Sequence, residues 1–316
     1  MMKLNSARCE LNCVVAALLR RIKSITAESR LIATAALVAI WLVPGQFAFA
    51  DSSVWKVSKG DTLIYLGGTL HVLSKGDYPL PAEFDEAYRA SEIVVFETDI
   101  VKISQPAFQQ EMLSTLTYEN GRTIRDELKP GTINLLEAHF SQRGIPFERF
   151  ELYKPAMVSL LISMIELQAL GISSQGVDQF FSIQAVDDNK TQLELESPQQ
   201  QLAMIATMAG DKPDRLILHT LRDAKNLRTI MEDLVAAWRT GDTDRLDTEM
   251  IEVMQRDYPN VYENLLVTRN NNWLPAIMQL FASDEIEFVL VGAGHLVGRD
   301  GLLMLLEQRG YRVEQL

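Results

Sequence analysis

Four histidines occur in this chain of 316 residues, and two share one local setting: Gly68-Thr69-Leu70-His71 and Gly292-Ala293-Gly294-His295. With 17 glycines in the sequence, a histidine placed at random has a glycine three positions earlier about one time in twenty. Each copy ends an apolar run, and the glycine lets the backbone turn sharply without a Cβ clash. Two imidazoles brought to one sheet edge can hold a divalent metal or shuttle protons. The plain alternative is that each motif only closes a strand, with its ring satisfied by a carbonyl; the duplication favours chemistry. Glu97 follows the apolar Ile93–Phe96, where a carboxylate is costly to bury without a metal, Arg or His partner. It is then a metal ligand, or the base that activates water, or else a solvated strand end. Glu196 follows Thr191–Leu195 in the same way. Arg269, beside Asn270, either holds a substrate carboxylate or developing oxyanion or is the cation common at a helix C-terminus. Asp178 reads as a helix N-terminal residue with capping as its default role. Asp99 is at most a supporting neighbour of the site, and His139 and His219 are structural residues of helical stretches.

These side chains need elements to position them. Val54–Val57 and Thr62–Gly67 alternate around Lys59-Gly60-Asp61, the spacing of a short hairpin. A helix over Ala82–Ala90 leads to a strand at Ile93–Phe96. A second helix, Gln175–Asp187, leads to a strand at Thr191–Leu195, and a strand at Glu287–Val291 runs into the second histidine motif. A helix over Arg299–Arg309 should stop at Gly310 and precede a last strand at Tyr311–Glu314. Between these blocks the pattern is helical: Pro155–Leu170, Gln199–Met208, Arg222–Arg239, Thr243–Gln255, Pro259–Asn271 and Pro275–Phe281. The matching placement of His71 with His295, and of Glu97 with Glu196, reads as an internal duplication. The predicted fold is mixed α/β, a duplicated βαβ-type core sheet with a large helical insertion.

Residues 1–50 read as a signal peptide, with Arg20, Arg21, Lys23 and Arg30 ahead of the apolar Leu31–Val43, then Pro44-Gly45 and Ala48-Phe49-Ala50. The apolar run is shorter than the ~20 residues of a bilayer span, so cleavage after Ala50 and a periplasmic or secreted mature chain, residues 51–316, are expected. The alternative is an inner-membrane protein anchored by an uncleaved N-terminus. Both cysteines, Cys9 and Cys13, fall in this segment, which excludes a thiol nucleophile, thiolate-bound zinc and disulfides from the mature domain. Removing the segment's six Lys/Arg and two Glu takes the formal charge from −12 to −16. Such an acidic surface disfavours nucleic acid and anionic lipid, and no stable membrane span is expected in the mature chain. No His-Glu-x-x-His helix, Gly-x-Ser-x-Gly elbow, P-loop or Gly-x-Gly-x-x-Gly turn is present.

Taken in order, Gly68–His71, Leu80-Pro81, the Glu97 strand end, Gly176-Val177-Asp178, Leu195-Glu196-Ser197 with Gln201, Arg269-Asn270 and Gly292–Leu296 resemble the TraB/GumN family, related to the Tiki metalloproteases. The resemblance implies an α/β fold akin to erythromycin-esterase-like and ChaN-like proteins, and metal-dependent proteolysis with Mn²⁺ or Co²⁺ rather than Zn²⁺, although imidazole and carboxylate ligands by themselves also suit Zn²⁺. It makes His71, His295 and Glu97 the metal or catalytic set, with Glu196 a further ligand and Arg269 a member of the same pocket. The leading expectation is a periplasmic metal-dependent hydrolase acting on a peptide or other small polar substrate. The alternative is a non-catalytic binding protein for a metal, haem-like or polar ligand in that pocket. Oligomeric state is not legible.

Overall fold

Glycines and prolines set most of the boundaries in this chain. The computed structural model describes residues 52–172 and 174–316; the expected signal peptide and both cysteines lie outside them. Strands β1 (Val54–Lys59) and β2 (Thr62–Thr69) form the predicted hairpin. Its turn holds Gly60 at φ +63°, a left-handed backbone that glycine adopts without strain. The remaining strands are β3 (Val72–Leu73), β4 (Ile93–Phe96), β5 (Ser174–Gln175), β6 (Thr191–Glu194), β7 (Glu287–Gly292) and β8 (Arg312–Gln315). Six of them build one mixed sheet in the order β6-β4-β7-β2-β1-β8, and β3 pairs with β5 in a separate ribbon.

Within the sheet β6, β4, β7 and β2 are mutually parallel, while β1 runs antiparallel to both β2 and β8. The carboxyl ends of four parallel strands therefore meet at one edge, where open α/β sheets place their binding crevices. Every residue of β4 is buried, as are residues 287–291 of β7. This explains why they read as continuous apolar runs rather than as alternation: a parallel strand is covered on both faces. Phe84, Phe181 and Phe288 pack together with Tyr88 and Trp238, tying the helices Ala82–Ala90 and Val177–Asp187 to β7.

The mixed α/β architecture and its large helical insertion are as the sequence predicts. Helices Pro106–Thr115, Pro130–Gln142, Pro155–Ala169, Pro198–Ala206 and Pro213–Arg239 all begin on proline, whose fixed φ and missing N–H suit the first helical position. Several boundaries differ from expectation. Gln175 belongs to β5 rather than to a helix. The helix expected from Arg222 already starts at Pro213. The stretches Thr243–Gln255 and Pro259–Asn271 are interrupted by wide π turns at Asp247–Glu252 and Glu263–Val267. Pro275 does not open a new helix but lies inside Thr268–Leu280, which buried Trp273, Leu274 and Ile277 hold to the core across the missing hydrogen bond. The C-terminal helix is shorter than expected, Leu302–Glu307, and Gly310 follows at φ +77°. No helix of the described residues is long and apolar enough to cross a membrane.

Candidate functional site

Both histidine motifs leave adjacent parallel strands, with Gly68 of β2 opposite Val291 of β7 and Thr69 opposite Gly292. Buried Trp238 donates its indole N–H to the Gly68 carbonyl at 2.7 Å, pinning the first turn. Glu97 and Glu196 lie just past the carboxyl ends of the adjacent strands β4 and β6, and the Glu196 N–H donates to the Glu97 carbonyl at 2.9 Å. The sheet thus delivers four distant segments to one edge.

Arg269 gathers three of them. It is 6 % exposed and lies in the first turn of Thr268–Leu280, so the reading as an ordinary cation at a helix C-terminus does not apply. Its Nη2 donates to Glu97 Oε2 at 2.6 Å and Glu196 Oε1 at 2.7 Å. Its Nε lies 3.1 Å from both Glu196 oxygens, and Nη1 reaches His295 Nε2 at 2.9 Å and the Leu265 carbonyl at 3.3 Å. A guanidinium has five N–H donors, and here all five are engaged. Trp273 closes the cluster: the guanidinium stacks 4.4 Å from its ring, and its N–H reaches Glu196 Oε2 at 3.3 Å.

The partners fix the tautomer of His295. Arg269 can only donate, so His295 Nε2 accepts; Nδ1 then carries the proton and donates to Asn270 Oδ1 at 2.7 Å. The Asn270 amide nitrogen donates in turn to the His295 and Asp300 carbonyls, which sets its orientation. Burial pushes the His295 imidazole down to about 3, against the pull of Glu97 and with the help of Arg269 and His71. The ring is therefore neutral at physiological pH. Burial works against charge on Glu97 too, but His295, Arg269, His71 and the Gly292 N–H outweigh it and hold the carboxyl down at about 2. With His295 neutral, Arg269, His71 and the 2.7 Å bond from Gly292 carry the downward direction of that shift. A Cβ at Gly292 would lie 3.2 Å from Glu97 Oε1, so the glycine keeps this approach open.

His71 is different. Its side chain is 66 % exposed, and its Nδ1 lies 3.4 Å from Asp178 Oδ1. The exposed surface faces a cleft of about 450 Å³, lined also by Glu97, Asp178 and Arg269. The Asp178 carboxylate drives the His71 imidazole up to about 9. Asp178 is not the helix cap expected of it: Gly176 is the N-cap, which leaves the Asp178 carboxylate for His71. The β3–β5 ribbon makes this pairing possible, because Val177 donates to the Leu70 carbonyl at 3.1 Å. A Cβ on Gly176 would overlap the backbone of Leu70 and His71. Asp99 caps the helix Ile100–Ile103 through the Lys102 N–H. His139 and His219 sit in helices away from the cleft.

The imidazole and carboxylate donors suit the divalent metals that the resemblance implies, but their arrangement does not. His295 Nε2, Glu97 and Glu196 are engaged by Arg269, whose cationic guanidinium stands between them, while His71 is turned to Asp178. Among the described residues, no three His, Asp or Glu side chains converge as a set that could hold a metal ion.

The chain is similar to the metalloprotease TIKI2 of Danio rerio, at 22 % identity over 319 aligned residues, covering 84 % of this chain and 61 % of that protein. It thus spans about three-fifths of that relative's length. No solved structure matches. The model of the TraB/PrgY/gumN family matches residues 53–315, essentially the whole sheet and every residue of the cleft, and the chain belongs to that family.

Proposed function

We propose that this protein is a hydrolase that cleaves peptide bonds in the cleft between His71 and the Glu97–Arg269–His295 cluster. One observation carries the reading: an imidazole whose Nδ1 lies 3.4 Å from a carboxylate, open to a cleft whose other wall is a fixed, charged hydrogen-bond network. His71 Nε2 has no hydrogen bond among the described residues. This is the pairing of a base with its orienting acid. In its neutral form, which grows as pH rises toward about 9, His71 takes a proton from the attacking water and returns it to the leaving nitrogen, and Asp178 steadies the imidazolium formed between those steps. Arg269 has no N–H left for substrate, so it acts as a positioning residue that holds Glu97 ionised at the cleft wall.

A second reading, in which Mn²⁺, Co²⁺ or Zn²⁺ serves the reaction, is favoured by the name of the TIKI2 relative. It requires Glu97 and His295 to be released from Arg269. Turnover of a quenched-fluorescence peptide library by the purified chain separates the readings. Cleavage that survives chelation and disappears in His71→Ala, with unchanged circular dichroism, supports the first. Chelator-sensitive cleavage restored by Mn²⁺ or Co²⁺ supports the second. No cleavage under either condition refutes both, and leaves a binding protein for a metal, haem-like or polar ligand in the same cleft. We also propose that the protein acts in the periplasm or outside the cell, on the basis of its N-terminal sequence; N-terminal sequencing of the exported protein should begin at Asp51.

A further inference from the structure

The cleft has two unlike ends. Its polar end holds His71, Asp178, Glu97 and Arg269, whereas its other walls carry Ile100, Ile103, Leu160, Met204, Ile205 and Met208. All six are only half-buried, so the helical insertion exposes a concentrated apolar surface to one cavity rather than scattering it. At about 450 Å³, the cavity falls within the ~300–1,000 Å³ of small-molecule sites. Methionines in such walls adapt to the shape of what they meet.

A second observation points to an occupant. Thr69 and Thr98 are 2 % and 5 % exposed, both line the cleft, and neither Oγ1 has a hydrogen-bond partner among the described residues. Buried hydroxyls are normally satisfied. Both belong to segments at the sheet edge that supply the proposed chemistry, Thr69 two residues before His71 and Thr98 next to Glu97. A peptide group threaded past His71 would bring a carbonyl to these hydroxyls and set its side chain against the apolar wall.

We infer that the apolar end of the cleft is a specificity subsite for an aliphatic or aromatic side chain beside the scissile bond, with the Thr69 and Thr98 hydroxyls donating to the adjoining peptide carbonyl. The inference rests on the hydrolase reading and names its substrate class. An acidic side chain is excluded twice: it would be desolvated among aliphatic groups, and it would sit near Glu97 and Asp178.

Two measurements on the full mature chain test this. The first is cleavage of a peptide library varied at the residues flanking the scissile bond. Leu, Met or Phe should raise kcat/KM at least tenfold over Ala and further over Asp. Ile205→Lys and Met208→Glu should raise KM at least tenfold for the apolar substrates with little change in kcat. The second needs no turnover: titration with the neutral fluorophore N-phenyl-1-naphthylamine, competed by N-acetyl-leucinamide and N-acetyl-aspartamide. Saturable binding displaced by the leucine amide alone, weakened tenfold in both variants and retained in His71→Ala, supports the subsite. If this holds while no peptide is cleaved, the subsite stands and the hydrolase reading falls. A flat or acid-preferring library, or fluorophore binding equal in wild type and both variants, overturns the inference.

Discussion

Replacing Arg269 with Met keeps an unbranched stem and removes all five donors. In the native fold those donors hold two carboxylates and the lone pair of a neutral imidazole, with Arg269 6 % exposed. Breaking a buried pair from one side typically costs about 3–5 kcal/mol, because the surviving charge stays desolvated. The Glu97 carboxyl points the same way: it is held well below the ordinary 4.5, so its ionisation adds to stability at neutral pH. The sign follows from the downward shift. The contribution is complete above 4.5 and is lost as pH falls through 2. Without Arg269, burial dominates and Glu97 titrates above 4.5, so the deficit of the variant is greatest at pH 7 and shrinks toward pH 4.5, where Glu97 takes a proton. Urea unfolding followed by the fluorescence of buried Trp55, Trp238 and Trp273 reads this directly at both pH values. A loss below about 1 kcal/mol at pH 7, or an equal loss at pH 4.5, would refute the picture of a buried network centred on Arg269.

Other outcomes are equally specific. If His71 is the base, kcat/KM rises with pH toward about 9, and Asp178→Asn moves that limb toward the ordinary ~6.5 of histidine; an unmoved limb excludes the pairing. The same ion pair stabilises the fold below 6.5 and loses its effect as pH rises through 9, but with His71 66 % exposed solvent screening makes this small, so melting curves at pH 7 should barely separate wild type from Asp178→Asn. Asn270→Ala strips the acceptor from the His295 Nδ1–H and should cost about 1–3 kcal/mol, while the ¹⁵N signature of the ring keeps Nδ1 protonated because Arg269 still donates to Nε2; a changed tautomer would show that Asn270, and not Arg269, sets it. Gly176→Ala forces a Cβ into the Leu70–His71 backbone and should lower both turnover and melting temperature, whereas wild-type values would show that the ribbon yields freely.

Much of this site was legible because its framework is local. Strand ends announce themselves through apolar runs, and a carboxylate immediately after such a run, as at Glu97 and Glu196, signals a need for partners. The Gly-x-x-His pairs gave away the edge at which β2 and β7 finish. What escaped was long-range pairing. Asp178 sits where capping is the default, and only the close approach of β5 to β3, made possible by Gly176, turns its carboxylate to His71. Gly176-Val177-Asp178 was visible as a motif, but nothing in its spacing names a partner more than a hundred residues away. Arg269 looked like a helix-end cation because Pro275 seemed to begin a new helix; the buried Trp273, Leu274 and Ile277 carry the helix through. The two π turns left no trace in the apolar periodicity.

The sheet order has a further consequence. Strand β7 lies between β2 and β4, yet it is the next-to-last strand of the chain. Until residues 287–292 arrive, the first half of the domain has a gap at its centre, and the contacts that fill it span nearly two hundred residues or more. Pairings of this kind form late and slowly. Glu97 and His71 therefore lie on either side of an unfilled slot until almost the whole chain is present. A chain cut short before residues 287–292 thus lacks the strand that joins the two halves of the cleft.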